Sequence, residues 1–156
     1  MKRWIGIVSI ALVYGLGGCK KDNTPLTEFN SKLQGTWTLD SNNMEYYDDA
    51  SAKLYEEEIA VDNLPEKIIF KKGLTASIIT QTESLNTGYD GAIVDGTFYL
   101  EFFNASIFNS SVWQIPLLDS KKMVWIGVYT NIRYENKETG ASGNASRAVL
   151  RLYFSE

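Results

Sequence analysis

Histidine is absent from the 156 residues and cysteine occurs once, as Cys19. The first absence excludes imidazole metal sites, Ser-His-Asp triads and histidine general bases. The second leaves the chain without an intramolecular disulfide, since Cys19 has no partner. No long apolar run is present: the first, Trp4 to Leu16, is too short for a bilayer-spanning helix, which needs about 20 residues. Positive charge is scarce too, with 15 basic against 19 acidic residues and a net charge of −4. An acidic chain is a poor candidate for binding nucleic acid or an anionic membrane through its net surface charge.

The N-terminus has the layout of an export signal. Lys2 and Arg3 precede the short apolar run, and small residues follow it. Leu16-Gly17-Gly18-Cys19 resembles the lipobox of bacterial lipoproteins. The resemblance implies a signal peptide over residues 1–18, acylation of the Cys19 thiol and cleavage that leaves Cys19 as the new N-terminus. A multi-chain anchor of this kind holds stably, because each buried methylene contributes about 0.8 kcal/mol. The implied location is the cell envelope of a Gram-negative bacterium, in the outer membrane, facing the periplasm or the surface. With its thiol consumed by the lipid, the chain also loses thiol catalysis. Residues 19–24 then read as lipidated cysteine and polar tether, and residues 25–156 as one domain large enough for a real core.

Thr24-Pro25 predicts a short helix, with Thr24 as N-cap and Pro25 at the first helical position. Leu26, Phe29 and Leu33 fall on one face, and Gly35 ends it. Between Asn42 and Pro65 the pattern is least regular. There Asp48-Asp49 predicts the cap of a helix over Ala50 to Ile59, with Ala52, Tyr55 and Ile59 inward. From Glu66 onward short period-2 runs separated by turns predict antiparallel strands. These are Lys67 to Lys71, Leu74 to Thr80, Ala92 to Val94, Phe98 to Phe103, Val112 to Leu118, Lys122 to Tyr134 and Ala148 to Phe154. Asn86 to Gly88 and Thr139 to Ser146 read as loops, Asp95-Gly96 as a two-residue hairpin, and Pro116 as an edge or bulge position. Aromatics form 13% of the residues, which suits an all-β core. About eight strands predict a barrel just wide enough to be filled or to hold one small ligand.

The Gly35-x-Trp37 step, entering the first strand after a short helix, resembles the opening of lipocalins. It looks more closely like the lipocalin-like lipoproteins common in the Bacteroidetes. The resemblance implies an all-β fold: a single antiparallel eight-stranded, calycin-type barrel with a short N-terminal helix and Trp37 at its closed end. It also implies a basic side chain from the last strand across that indole, a role open to Arg147 or Arg151. Asn131-Ile132-Arg133-Tyr134 after Thr130 stands near the place of the classical Thr-Asp-x-Tyr step, but lacks its acidic residue.

Phe98, Phe102, Trp113, Met123, Trp125 and Tyr129 are the residues placed to line a cavity for a small hydrophobic or amphiphilic ligand. The competing reading is that they fill the core, the default of a close-packed interior. The acidic set of Asp48, Asp49, Glu56, Glu57, Glu58 and Asp62 lacks the alternation and glycine of an EF-hand loop and reads as a solvated face. No two carboxylates are singled out as a glycosidase pair. The expectation is therefore a non-enzymatic, cofactor-free envelope protein. Its partners would be the membrane through its lipid and a small hydrophobic ligand or, alternatively, a protein complex in which a filled barrel serves as accessory subunit.

Overall fold

The computed structural model describes residues 24–156. Residues 1–18, Cys19 and the tether up to Asn23 lie outside that range, and Thr24, read as the last residue of the tether, is the first of the helix. The chain begins with α1 (Thr24–Leu33) and continues as nine strands. They are β1 (Gly35–Tyr47), β2 (Lys53–Glu57), β3 (Lys67–Lys71), β4 (Thr75–Ile79), β5 (Ser84–Val94), β6 (Thr97–Phe102), β7 (Val112–Leu118), β8 (Lys122–Glu135) and β9 (Ser142–Ser155).

Eight of them close into an antiparallel barrel of the lipocalin-like type. Closure depends on β1, which serves two neighbours in succession. Its first residues, Gly35 to Thr38, pair with β3, and Thr38 to Tyr47 pair with β9. Every other barrel strand pairs with its sequence neighbour. β2 stands outside the closed ring and pairs only with Met44 to Tyr47 at the far end of β1.

One end of the barrel is shut by α1. Phe29 stacks on Phe98 with centroids 4.4 Å apart and planes 4° from parallel, and Leu33 is fully buried. Gly91 on β5 is the contact that lets the helix approach: a Cβ there would lie 3.1 Å from Leu26 Cδ1 and 3.3 Å from Phe29 Cε1. The helix exits through Gly35 at φ +147°, a conformation that favours glycine. Trp37 then points inward with 1% of its surface exposed, and its Nε1 donates to the Leu33 carbonyl at 2.8 Å. That bond satisfies both the buried indole and a carbonyl at the helix end, which has no partner within the helix.

The interior is filled. Trp125 sits among Phe154, Trp113, Phe102 and Phe70 at centroid distances of 5.0, 5.6, 5.7 and 6.4 Å. Trp37, Trp113 and Trp125 are each at most 1% exposed. The inward set is not carried by one unbroken alternation. β1 has an irregularity between Leu39 and Ser41, so Trp37 and Leu39 face in before it and Asn42, Met44 and Tyr46 after it. On β8, Asn131 at φ +54° makes the equivalent switch, from Met123, Trp125, Gly127 and Tyr129 to Ile132 and Tyr134. An extra or left-handed residue shifts the phase of a strand in this way.

Three local expectations are corrected. Lys53–Glu57 is a strand, not part of a helix over Ala50 to Ile59. Asp48 does cap, but it caps a turn: its Oδ1 accepts the Ala52 N–H at 2.8 Å, with Ser51 at φ +64°. The turn folds β2 back on β1, where Tyr55 joins Tyr46 and Tyr134 in an aromatic cluster with centroids 5.2–6.1 Å apart. Asn86 to Gly88 is continuous strand, β5, and the Phe103 ring lies over Gly88 where a Cβ would meet it at 2.8 Å. β9 starts at Ser142, inside the stretch read as a loop. Pro116 lies within a register shift between Gln114 and Leu117, which turns Leu117 outward to 43% exposure.

Candidate functional site at the barrel mouth

Five of the six candidate lining residues, Phe102, Trp113, Met123, Trp125 and Tyr129, come together inside the barrel. The first four are buried at 2% exposure or less. Phe98 is at the other end, stacked on α1. Tyr129 folds back over Gly127, whose added Cβ would lie 2.9 Å from both Trp113 Cζ3 and Tyr129 Oη. Two buried polar atoms in this interior, Trp125 Nε1 and Tyr129 Oη, have no hydrogen-bond partner. Burial pushes the Tyr129 phenol up to about 12.

The two arginines proposed for Trp37 are elsewhere. Both belong to the outward-facing set of β9, whereas Trp37 faces inward. The Arg147 guanidinium lies 4.8 Å from the centre of the Tyr47 ring. Arg151 donates to Glu45 Oε2, which also accepts from the Tyr47 hydroxyl at 3.0 Å. Burial alone would raise the Glu45 pKa, but the hydrogen bonds from Arg151 and Tyr47 prevail and hold it below the ordinary glutamate value. Tyr47, Glu45, Arg147 and Arg151 all lie on the β1–β9 pairing. The arginines therefore staple the closing seam of the barrel.

The acidic set is also distributed rather than convergent. Glu57 accepts from the Tyr46 hydroxyl at 2.9 Å and pairs with Lys137 at 2.8 Å. Glu56 pairs with Lys53 at 2.7 Å, and Asp48 is occupied by its turn. Burial, then the bond to Glu57, drives the Tyr46 phenol well above the ordinary tyrosine range. Among the described residues no group of three or more acidic side chains converges on a cation-sized point.

A cleft of about 380 Å³ lies at the open end between three mouth segments, the 61–66 connection, the β4–β5 turn and the β6–β7 loop. Ile78, Leu85, Ile107 and Phe108 give it an apolar side; Thr80, Thr82, Asp62, Glu83 and Asn109 give it a polar one. Its wall is fixed by a tight two-residue hairpin. Ile107 and Ser110 exchange backbone hydrogen bonds at 2.8 and 3.0 Å, with Phe108 and Asn109 at φ +48° and +59°. A left-handed phenylalanine is a costly conformation. It is held here because the Phe108 ring meets Tyr129 edge-on at 5.6 Å. Of these cleft residues only Asp62 is singled out by the sequence, as a member of the acidic set. The one signal was the length of the connection after Phe103, since long loops in compact domains tend to carry function.

No family model matches the chain, and neither a curated protein nor a solved structure matches it.

Proposed function

We propose that this chain is a lipid-anchored protein of the Gram-negative cell envelope, with Cys19 as its acylated N-terminus. Its barrel serves as a filled, non-catalytic scaffold and recognition occurs on its surface. The observation that carries the reading is the interior around Trp125, where close-packed aromatics occupy the volume a ligand-holding calyx would leave open. The resemblance of Leu16 to Cys19 to a lipobox supplies the anchor. The Gly35-x-Trp37 step supports kinship with lipocalin-like lipoproteins of the Bacteroidetes. Large apolar side chains on the outer wall, Phe103, Val112 and Val128 at 52, 44 and 60% exposure, offer contact surface to an envelope partner.

Native mass spectrometry of the protein purified from its host envelope tests the scaffold. A stoichiometric protein partner without a small molecule is the expected result. The anchor is tested separately by Cys19→Ala, which should abolish acylation and release the protein from the membrane fraction.

A second reading is favoured by the mouth cleft, whose apolar and polar sides suit a small amphiphilic ligand. A co-purifying small molecule lost in Leu85→Trp, which fills the cleft, would establish it and overturn the filled scaffold as the sole role.

A further inference from the structure

We infer that the closed end of the barrel is a membrane-contacting surface, resting on the anionic lipid surface that carries the anchor while the mouth points away. The inference rests on the anchored reading above, because that reading fixes which end lies near the bilayer. From Cys19 to the start of α1 at Thr24 is five residues, a reach of at most about 18 Å even when fully extended. The first turn of α1 is already at the closed end: Pro25 borders a cleft with Phe98, Ile115, Leu117 and Leu118. A lipid on Cys19 therefore holds this end within a short distance of the membrane.

The turns at that end have the composition such a contact needs. Large apolar side chains protrude from three of them. Leu74 follows the β3–β4 turn, Ile93 and Val94 lead into the β5–β6 hairpin, and Leu117 is turned out by the bulge of β7, with exposures of 40, 40, 54 and 43%. Exposed lysines flank them, Lys72 beside Leu74 and Lys121-Lys122 beyond Leu117, while the Lys71 ammonium is turned up the strand and donates to Ser77 Oγ at 2.8 Å. Asp119, the carboxylate nearest the second pair, accepts the backbone N–H of both Lys121 and Lys122 at 2.7 Å. Apolar tips with snorkelling lysines are the chemistry of an interfacial contact, in which the tips enter the headgroup boundary and the ammonium groups meet lipid phosphates.

Charge elsewhere points the same way. At the closed end five lysines, Lys32 included, stand against five carboxylates, Glu28, Asp40, Asp95, Asp119 and Glu156, a balanced set in which Lys32 pairs with Glu28 at 2.8 Å. The mouth segments 48–66, 80–83 and 133–138 carry ten carboxylates against three basic side chains. An anionic surface repels the mouth and tolerates the closed end, so the electrostatic and covalent preferences agree.

The test uses the full chain, purified after export and reconstituted into vesicles of phosphatidylethanolamine and phosphatidylglycerol. Val94→Cys and Thr82→Cys place nitroxide labels at the closed end and the mouth. Intact mass reports acylation of Cys19 independently of either label. The expected result is a Val94 label several-fold more accessible to lipid-dissolved oxygen than to an aqueous nickel complex, and a Thr82 label with the opposite preference. Lys121→Glu with Lys122→Glu should return the Val94 label to water while the protein remains acylated and vesicle-bound. Aqueous exposure of both labels, or immersion of the Thr82 label, overturns the inference. An unmodified Cys19 overturns the anchor, and the Val94 label then decides the surface alone: immersion in these vesicles sustains it and an aqueous signal ends it.

Discussion

Trp37 shows how one side chain links helix, strand and core. Its indole is buried, and its N–H closes the end of α1 on the Leu33 carbonyl. Trp37→Ala should lower the free energy of unfolding in urea by about 3–5 kcal/mol, as expected for deleting a buried aromatic. Trp37→Phe should retain most of the packing and lose about 1 kcal/mol with the hydrogen bond. Tyr129 is the contrasting case. Its hydroxyl is buried without a partner, so Tyr129→Phe removes an unsatisfied group and keeps the ring against Phe108. A gain of about 1 kcal/mol in the same titration is expected. Trp37 was legible in the sequence because the Gly-x-Trp step marks a strand entry. The unsatisfied state of Tyr129 was not, since it depends on a fold-back over Gly127 that no alternation pattern encodes.

At the scale of elements, β8 makes that fold-back possible. Gly127 gives up its side-chain volume to the Tyr129 ring and to Trp113, each within 2.9 Å of where a Cβ would stand. Gly127→Ala should cost about 1–3 kcal/mol through overpacking. In a Tyr129→Phe background the cost should be smaller, because one of the two close atoms is gone; equal costs in both backgrounds would show that Trp113 alone resists the methyl. Strands with clean alternation, β3, β6 and the first half of β8, were legible for the same reason that they pack: the period of two is the physical pattern of a half-buried strand. The Asp95-Gly96 hairpin was legible from its dipeptide, and both residues adopt the left-handed φ that this turn requires, +50° and +77°. β2 was misread because Ala52, Tyr55 and Ile59 also fit a helical face. What decides its state is non-local: the Tyr46–Tyr55–Tyr134 cluster, and the clip in which Asn42 exchanges hydrogen bonds with the Ile59 backbone at 2.7 and 3.1 Å.

For the whole molecule, the sequence implied a closed barrel but not the details of its seam, which joins the first strand to the last. The β1–β9 seam is bridged on its outer face by Arg151 on Glu45, Arg147 over Tyr47 and Ser155 on Asp40. Periodicity placed the two arginines on the last strand; it could not show that they face away from Trp37 toward the seam. The seam makes stability depend on pH with a sign that follows from Glu45. Its folded-state pKa lies below the ordinary value of 4.5, so its contribution is present in full above that value and is lost as the pH falls through the folded-state pKa. Glu45→Gln should therefore cost about 1–2 kcal/mol at neutral pH, a hydrogen bond to a charged group reduced by solvent screening at the partly exposed Arg151, and progressively less below pH 4.5. The wild-type and variant urea midpoints should converge in acid. At the alkaline side the sign reverses: burial raises the phenols of Tyr89 and Tyr129, the latter to about 12. An unfolded chain ionises these groups from about pH 10, before the folded one does. Stability should then fall between pH 10 and 12 in wild type and Glu45→Gln alike, and less steeply in Tyr129→Phe. A Glu45→Gln deficit that stayed constant from pH 7 to pH 3 would remove the ion pair from any role in holding the barrel closed.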